Sequence, residues 1–254
     1  MENWLNHKAV ELGRLAVRST TLAGSGHPSS ALALSHLVAV LMYHQMKFDP
    51  KNPWNRASDR LVLSEGHAVP IIYAAYCDQK GVYGKCRCEA AELSVKDLER
   101  LREIDSVLDG HPNPGVGFPF FDAATGSLGQ GLSVAAGLGL AARLDGLGKR
   151  IFCIIGDGEC REGQIWEAVD FLVDCGLSNV TPIFNCNGQG QSDYVSRQQS
   201  AETVAKKLEA YGCKALVIDG HNVREIMNAL NTREQGKVVA IVAKTQKGWG
   251  VEGL

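Results

Sequence analysis

The chain has 254 residues, a net charge of −2 and a hydrophobic content of 45%. That is enough for the core of one large α/β domain, and it lacks the basic excess that nucleic acid or an anionic membrane surface would attract. No apolar run approaches the roughly 20 residues that span a bilayer, and the N-terminus carries acids and lacks the apolar stretch of a signal peptide.

Eight cysteines are scattered along the chain, several inside apolar runs, which predicts reduced thiols in a cytoplasmic protein rather than a disulfide framework. Residues 4–22 place Leu5, Leu12, Leu15 and Ala16 at helical spacing and predict an amphipathic helix. Gly24 and Gly26 end it. His27 then sits in a tight loop, and Ser29 and Ser30 are predicted to cap a buried helix from Ala31 to Gln45. His36 and His44 fall inside that helix and read as structural. A strand over residues 60–63 runs into Ser64-Glu65-Gly66-His67. The stretch from Tyr83 to Ser94 is polar and irregular. Cys77, Cys86 and Cys88 lie close together in sequence, but zinc would need a fourth ligand, Glu89 or a distant histidine, and a plain surface insertion accounts for the same residues. The charged segment Ser94 to Leu108 predicts a helix, followed by Asp109-Gly110-His111-Pro112. Thr125 to Gly131 reads TGSLGQG and opens a small-residue helix over residues 132–142. Its glycines permit close approach by a ligand, by another subunit or by a neighbouring helix.

The next segment is the most specific. An apolar strand, Ile151 to Ile155, ends in Gly156-Asp157-Gly158. A helix over residues 164–175 follows, and a second strand, Val180 to Phe184, ends in Asn185-Cys186-Asn187-Gly188. Alone, the first turn is an ordinary polar-capped loop. With Asn187 closing the next strand, the spacing puts an acid and an amide at the carboxyl ends of two strands joined by a helix, where parallel sheets place ligands. Asp157 and the Asn187 side-chain oxygen are hard donors in small number, as Mg²⁺ prefers when phosphate oxygens and water complete its shell. The residues alone therefore predict a metal-bridged diphosphate site. The last third alternates helix (204–211), strand (213–219), helix (223–230) and strand (238–244), with His221 a turn residue. This βα order predicts an α/β fold, a parallel sheet with helices on both faces, in one domain over residues 1–254. His27, His67 and His111 each stand beside a glycine at the end of an element. Singly each is as well explained as a satisfied turn residue; together they suggest proton transfer or hydrogen bonding to a ligand.

Five segments resemble one family. AGSGHPSS (Ala23 to Ser30), LSEGHAVP (Leu63 to Pro70), GHPNP (Gly110 to Pro114), TGSLGQG and GDGECREGQIWEA followed by Asn187 are similar to transketolase signatures, in the same order, over nearly the whole chain. The resemblance implies the thiamine-diphosphate-binding fold in its diphosphate-binding domain, with thiamine diphosphate and Mg²⁺ as cofactors. By resemblance, Asp157, Asn187 and the Gln189 carbonyl would hold Mg²⁺. Gly156, Gly158, His67, Gly126, Ser127, Leu128 and Asn187 would contact the cofactor, and Glu162 would join a network linking cofactor sites across a dimer. His27 and His111 would face a sugar substrate. The implied reaction moves a two-carbon ketol unit from a ketose (phosphate) donor to an aldose acceptor.

The sequence departs from the family at Gly190 and Gln191, where an apolar residue is usual, so a looser loop or a different substrate is expected there. The family also has a further histidine after the KGxG element, and the sequence ends at Leu254 before one. A full transketolase is more than twice this length. The resemblance therefore implies the N-terminal subunit of a split enzyme, active only with a C-terminal, pyrimidine-binding partner subunit, two copies of each chain forming a heterotetramer. Another two-carbon-transferring or acyloin-forming member, a pyruvate-decarboxylating subunit and a non-catalytic structural partner are the alternatives. The three histidines argue against the decarboxylase, and Asp157 with Asn187 against the structural partner.

Overall fold

The structure, a computed structural model, describes residues 1–252. In chain order the elements are α1 (Glu2–Ala23), α2 (Pro28–Ala33), α3 (Ser35–Val40), β1 (Arg60–Leu63), α4 (Pro70–Asp78), β2 (Val82–Tyr83), β3 (Ala91–Glu92), α5 (Val95–Leu98), α6 (Gln130–Leu144), β4 (Ile151–Gly156), α7 (Gly163–Asp174), β5 (Val180–Cys186), α8 (Ala201–Ala210), β6 (Lys214–Asp219), α9 (Val223–Asn231) and β7 (Val239–Lys244). Five strands form one parallel sheet in the order β1-β4-β5-β7-β6. β2 and β3 form a separate antiparallel hairpin.

The central strands β4, β5 and β7 are buried on both faces because they are apolar at nearly every position rather than at alternate ones. In β4, Phe152 and Ile154 point into a core shared with α1, α3, α4 and α9. Ile151, Cys153 and Ile155 point the other way, into a core built with α6, α7 and α8. α9 shows the same logic from the helix side: Val223, Ile226, Ala229 and Leu230 are buried at helical spacing, while Arg224 and Glu225 stay outside. β6 is the edge strand, and its half-exposed pattern fits that place.

Four details differ from the sequence expectations. The helix after His27 starts at Pro28, not Ala31, because proline at the first turn needs no hydrogen-bonded N–H; Ser29 and Ser30 therefore lie inside it and cap nothing. The same helix is interrupted at Leu34 and ends in a π turn over Leu41–Gln45, which leaves His44 exposed while His36 is buried. The segment Ser94 to Leu108 forms only the single turn of α5. Ser94 and Asp97 make a reciprocal cap, but Arg102 adopts a left-handed φ of 66°. Its N–H then bonds the Leu108 carbonyl at 2.8 Å, closing a loop.

The fourth concerns the cysteines. Six of them are free, but Cys86 and Cys88 are bonded to one another. Cys86 is extended (φ −147°) but Arg87 begins a 3-10 turn that includes Cys88, and the turn brings the two Cα atoms to 5.4 Å, within bonding range. Cys77 takes no part: it is buried, and its thiol donates to the Leu93 carbonyl. Among the described residues no group of three or more His, Cys, Asp or Glu side chains could hold a metal ion, and no helix is long and apolar enough to cross a membrane.

Candidate functional site

The carboxyl ends of β1, β4, β5 and β7 open into one cavity of about 270 Å³. Each strand delivers its residue on the turn where it leaves the sheet. β1 supplies Glu65 and His67, β4 supplies Gly156 to Glu159, β5 supplies Asn187 to Gln191, and β7 supplies Lys247. Three loops complete the wall: His27 with Ser30, His111, and Gly126 with Leu128. His27, His67 and His111 are thus brought together with Asp157, Asn187 and Gln189. Ser127 and Glu162 lie outside this lining, both exposed. Glu162 flanks Gly129, whose missing Cβ would stand 2.7 Å from the Glu162 Cβ.

Asp157 is 2% exposed and is held as an acceptor. The Gly158 N–H donates to Oδ1 at 2.7 Å and the Gly188 N–H to Oδ2 at 2.6 Å. Burial pushes its pKa up, and those N–H groups with the Asn187 backbone and the Lys247 charge pull it back. The Asn187 Oδ1 accepts the Gln189 N–H at 2.9 Å, which curls the loop, and Asn187 and Gln189 both line the cavity with Asp157. Each of these oxygens keeps a lone pair, so the donor set fits a hard cation. Lys247 stands across from it, its Nζ donating to the Gly190 carbonyl at 2.7 Å, and supplies the positive charge that a diphosphate requires.

The histidine side is packed by glycines. The rings of His27 and His67 meet edge to face at 5.0 Å. A Cβ on Gly126 (φ +122°) would come within 2.5 Å of the His111 Cδ2, and one on Gly66 within 3.1 Å. Both positions therefore need glycine for His111 to sit where it does. Burial, then the charges of His27, Lys247 and His111, push the His67 pKa down to about 4. Burial and the neighbouring His111, Lys247 and Arg102 lower that of His27. Both rings are neutral at pH 7 and can accept or donate a hydrogen bond, as sugar hydroxyls require.

Three functional-looking side chains escaped the sequence reading. Glu65 and Glu159 are each 2% exposed. Glu65 lies 3.8 Å from His67 Nε2 and accepts from Asn185 Nδ2 at 2.9 Å, while the Thr245 hydroxyl donates to Asn185 Oδ1. Side chains thereby bridge the ends of β1, β5 and β7 above Gly156. Glu159 accepts from the Ser64 hydroxyl, the Gly129 N–H at 2.6 Å and the Gly156 N–H at 3.1 Å. It pins the TGSLGQG loop to the ends of β1 and β4. Lys247 is the third. All three are charged residues immediately after predicted strands of a parallel sheet, and that position was the available signal.

A family model described as "Transketolase, thiamine diphosphate binding domain" matches residues 5–253. The transketolase of Rattus norvegicus is 42% identical over 254 residues, covering 98% of this chain and 38% of that one. The 6-deoxy-6-sulfo-D-fructose transketolase subunit SqwG of Clostridium sp. (strain MSTE9) is 36% identical over 250 residues, covering 97% of this chain and 86% of that one. Among solved structures, the transketolase of Campylobacter jejuni superposes with a TM-score of 0.86 at 31% identity, covering 98% of this chain and 39% of that one. The chain thus spans somewhat over a third of the length of these transketolases and most of the length of the SqwG subunit.

Proposed function

This chain belongs to the transketolase family, through its thiamine-diphosphate-binding domain, and on that premise we propose that it is the diphosphate-binding subunit of a two-chain, Mg²⁺-dependent transketolase. The observation that carries the reading is the convergence of Asp157, Asn187 and Gln189 with His27, His67 and His111 in one cavity at the carboxyl ends of four parallel strands. Asp157, Asn187 Oδ1 and the Gln189 carbonyl would hold the metal. Lys247, His67 and the glycine backbone at Gly156, Gly158 and Gly126 would receive the diphosphate, with Ser127 and Leu128 beside the ring. When bound, thiamine diphosphate supplies a nucleophilic carbon and an electron sink for ketol transfer.

The chain's own residues orient the sugar and handle protons. His27 and His111 would hydrogen-bond the ketose hydroxyls and accept or return a proton at the substrate oxygen, which imidazole does near pH 7. Glu65, buried beside His67 at 3.8 Å from its Nε2, places a carboxyl group next to that ring. Leu128, an apolar side chain 40% exposed at the rim, and the exposed Glu162 form the edge that a partner subunit would cover, and that partner would complete the reactive end of the site. Two copies of each chain, in the cytoplasm, and the treatment of residues 1–254 as one domain belong to this reading.

The test is calorimetric titration of thiamine diphosphate with Mg²⁺ into the complex of this chain with its partner subunit, comparing the parent with Asp157→Ala. Binding is expected to be lost in the variant, and equal binding removes the metal-site assignment. A donor screen of the same complex should pair ketose phosphates with 6-deoxy-6-sulfo-D-fructose, the sugar in the name of the SqwG relative. The polar Gly190-Gln191 loop at the cavity wall is the feature on this chain with which such a donor group could be read.

A further inference from the structure

The segment after β7 is anchored on both sides of Lys247. The Gln246 N–H donates to His221 Nε2 at 2.9 Å. The Gly248 N–H donates to the Ser29 carbonyl at 2.9 Å. Between these two fixed points Lys247 reaches the cavity and meets Gly190.

The first anchor determines its own protonation state. His221 accepts at Nε2, so in its neutral form the proton is on Nδ1. That atom faces His36 Nδ1 at 3.2 Å, so His36 accepts there and carries its proton on Nε2. Trp249 closes the group: its ring lies 4.4 Å from the His36 ring at 90° and 5.3 Å from the His221 ring at 18°. His36 is 2% exposed. A second proton on His36 would set two N–H groups against each other. A second proton on His221 would set its Nε2–H against the Gln246 N–H. The Ser35 hydroxyl also lies 3.3 Å from His36 Nδ1 and can donate to it, so the doubly neutral pair satisfies every one of these contacts. The acid facing the pair is Asp219, which accepts the His221 backbone N–H at 2.8 Å and is itself braced by Glu225, accepting the Asp219 N–H at 2.9 Å. Asp219 favours charging, but burial outweighs it: the His36 pKa is pushed down to about 4, by burial first and then by His221, and burial lowers that of His221.

We propose that the neutral His36–His221 pair, closed by Trp249, is a positioning device that presents Lys247 to the diphosphate end of the cavity and lets go of it when either ring takes a second proton. The identity of the ligand rests on the function proposed above; the clamp itself does not.

Two measurements on the full chain separate these. The first is tryptophan emission against pH for the parent and for Trp249→Phe. A charged imidazole touching an indole quenches it, so the parent should lose emission as the pH falls from 6.5 toward about 4, and Trp249→Phe should lose that transition. A transition of the same size in both refutes the clamp. This arm uses an aromatic-for-aromatic change and stays readable if a histidine variant does not fold.

The second is calorimetric binding of inorganic pyrophosphate with Mg²⁺ near neutral pH. Lys247→Met and His221→Phe should each weaken binding about tenfold, and the double variant should be no weaker than Lys247→Met alone, because both remove one interaction. His221→Asn, whose amide oxygen can accept the Gln246 N–H, should restore affinity. Additive losses, or parental affinity in His221→Phe, overturn the positioning role. No pyrophosphate binding by the parent refutes the diphosphate reading, and the fluorescence arm then judges the clamp alone.

Discussion

Glu159 offers a direct test of how the cavity is held together. Its three partners, the Ser64 hydroxyl and the N–H groups of Gly129 and Gly156, are all donors, and a carboxylate meets all three as an acceptor. Burial opposes that ionisation and pushes the pKa up, while the same three donors lower it. Glu159→Gln keeps the shape and turns an NH₂ toward at least one donor. In the best orientation the amide oxygen replaces Oε1, keeping two bonds, and the NH₂ faces Gly156. The Gly156 N–H and the new NH₂ are then both unsatisfied, at a cost of about 1–3 kcal/mol each, offset in part because a charge is no longer buried. A net loss of about 2 kcal/mol lowers the melting temperature by about 4–8 °C for a domain of this size. Glu159→Ala orphans three donors and leaves a void, so it should melt lower still. The assay is thermal unfolding followed by circular dichroism on parent and both variants. A Gln variant that melts with the parent, or an Ala variant that melts above the Gln variant, refutes the account of Glu159 as a three-way acceptor.

Gly126→Ala should displace the His111 ring, because its Cβ would come within 2.5 Å of it at a φ of +122°. A cost of about 1–3 kcal/mol is expected, visible in the unfolding midpoint, and an unchanged midpoint contradicts the packing. Stability should fall in acid. The folded pKa of His36 is about 4 against an ordinary 6.5, so the unfolded chain binds a proton between those values that the folded chain refuses. The contribution, about 3 kcal/mol, is fully present above pH 6.5 and is lost as the pH falls toward 4. Urea unfolding across that window checks it, and a flat profile in the parent speaks against it. Chain purified without reductant should carry one disulfide, and mild reduction should expose Cys86 and Cys88 to alkylation while buried Cys77, Cys153, Cys160, Cys186 and Cys213 stay unlabelled. Peptide mapping reads this, and labelling of the buried set first would contradict it.

The sheet was legible because its strands are long apolar runs with polar residues at their carboxyl ends. Asp157, Asn187 and His67 stand at those ends and could be found by position, while His27 and His111 were marked by the glycines beside them in loops between helices. Burial of α9 and the exposure of β6 follow from their patterns in the same way. What could not be read were features set by partners distant in sequence. Glu65 and Glu159 look like surface acids until Asn185, Ser64 and Gly129 are folded over them. His36 and His221 are separated by most of the chain, and neither betrays the other. Ser94 to Leu108 carries a good cap and a helical composition, but the Arg102–Leu108 closure overrides propensity, as tertiary contacts commonly do.

The cavity wall is drawn from His27, Glu65, His111, Asp157, Asn187 and Lys247, stretches spread from near one end of the chain to near the other. The bridge from Glu65 through Asn185 to Thr245 closes only after β1, β5 and β7 have all docked. Such non-local pairings form late in folding, since the entropy of closing long loops is spent before the contacts are gained. A nascent or partly folded chain therefore has no binding site to offer, and a ligand that finds the completed cavity raises the stability of the finished fold alone, by an amount that grows with the logarithm of its concentration. Holo and apo chains should then differ far more in how often they open than in how fast they fold.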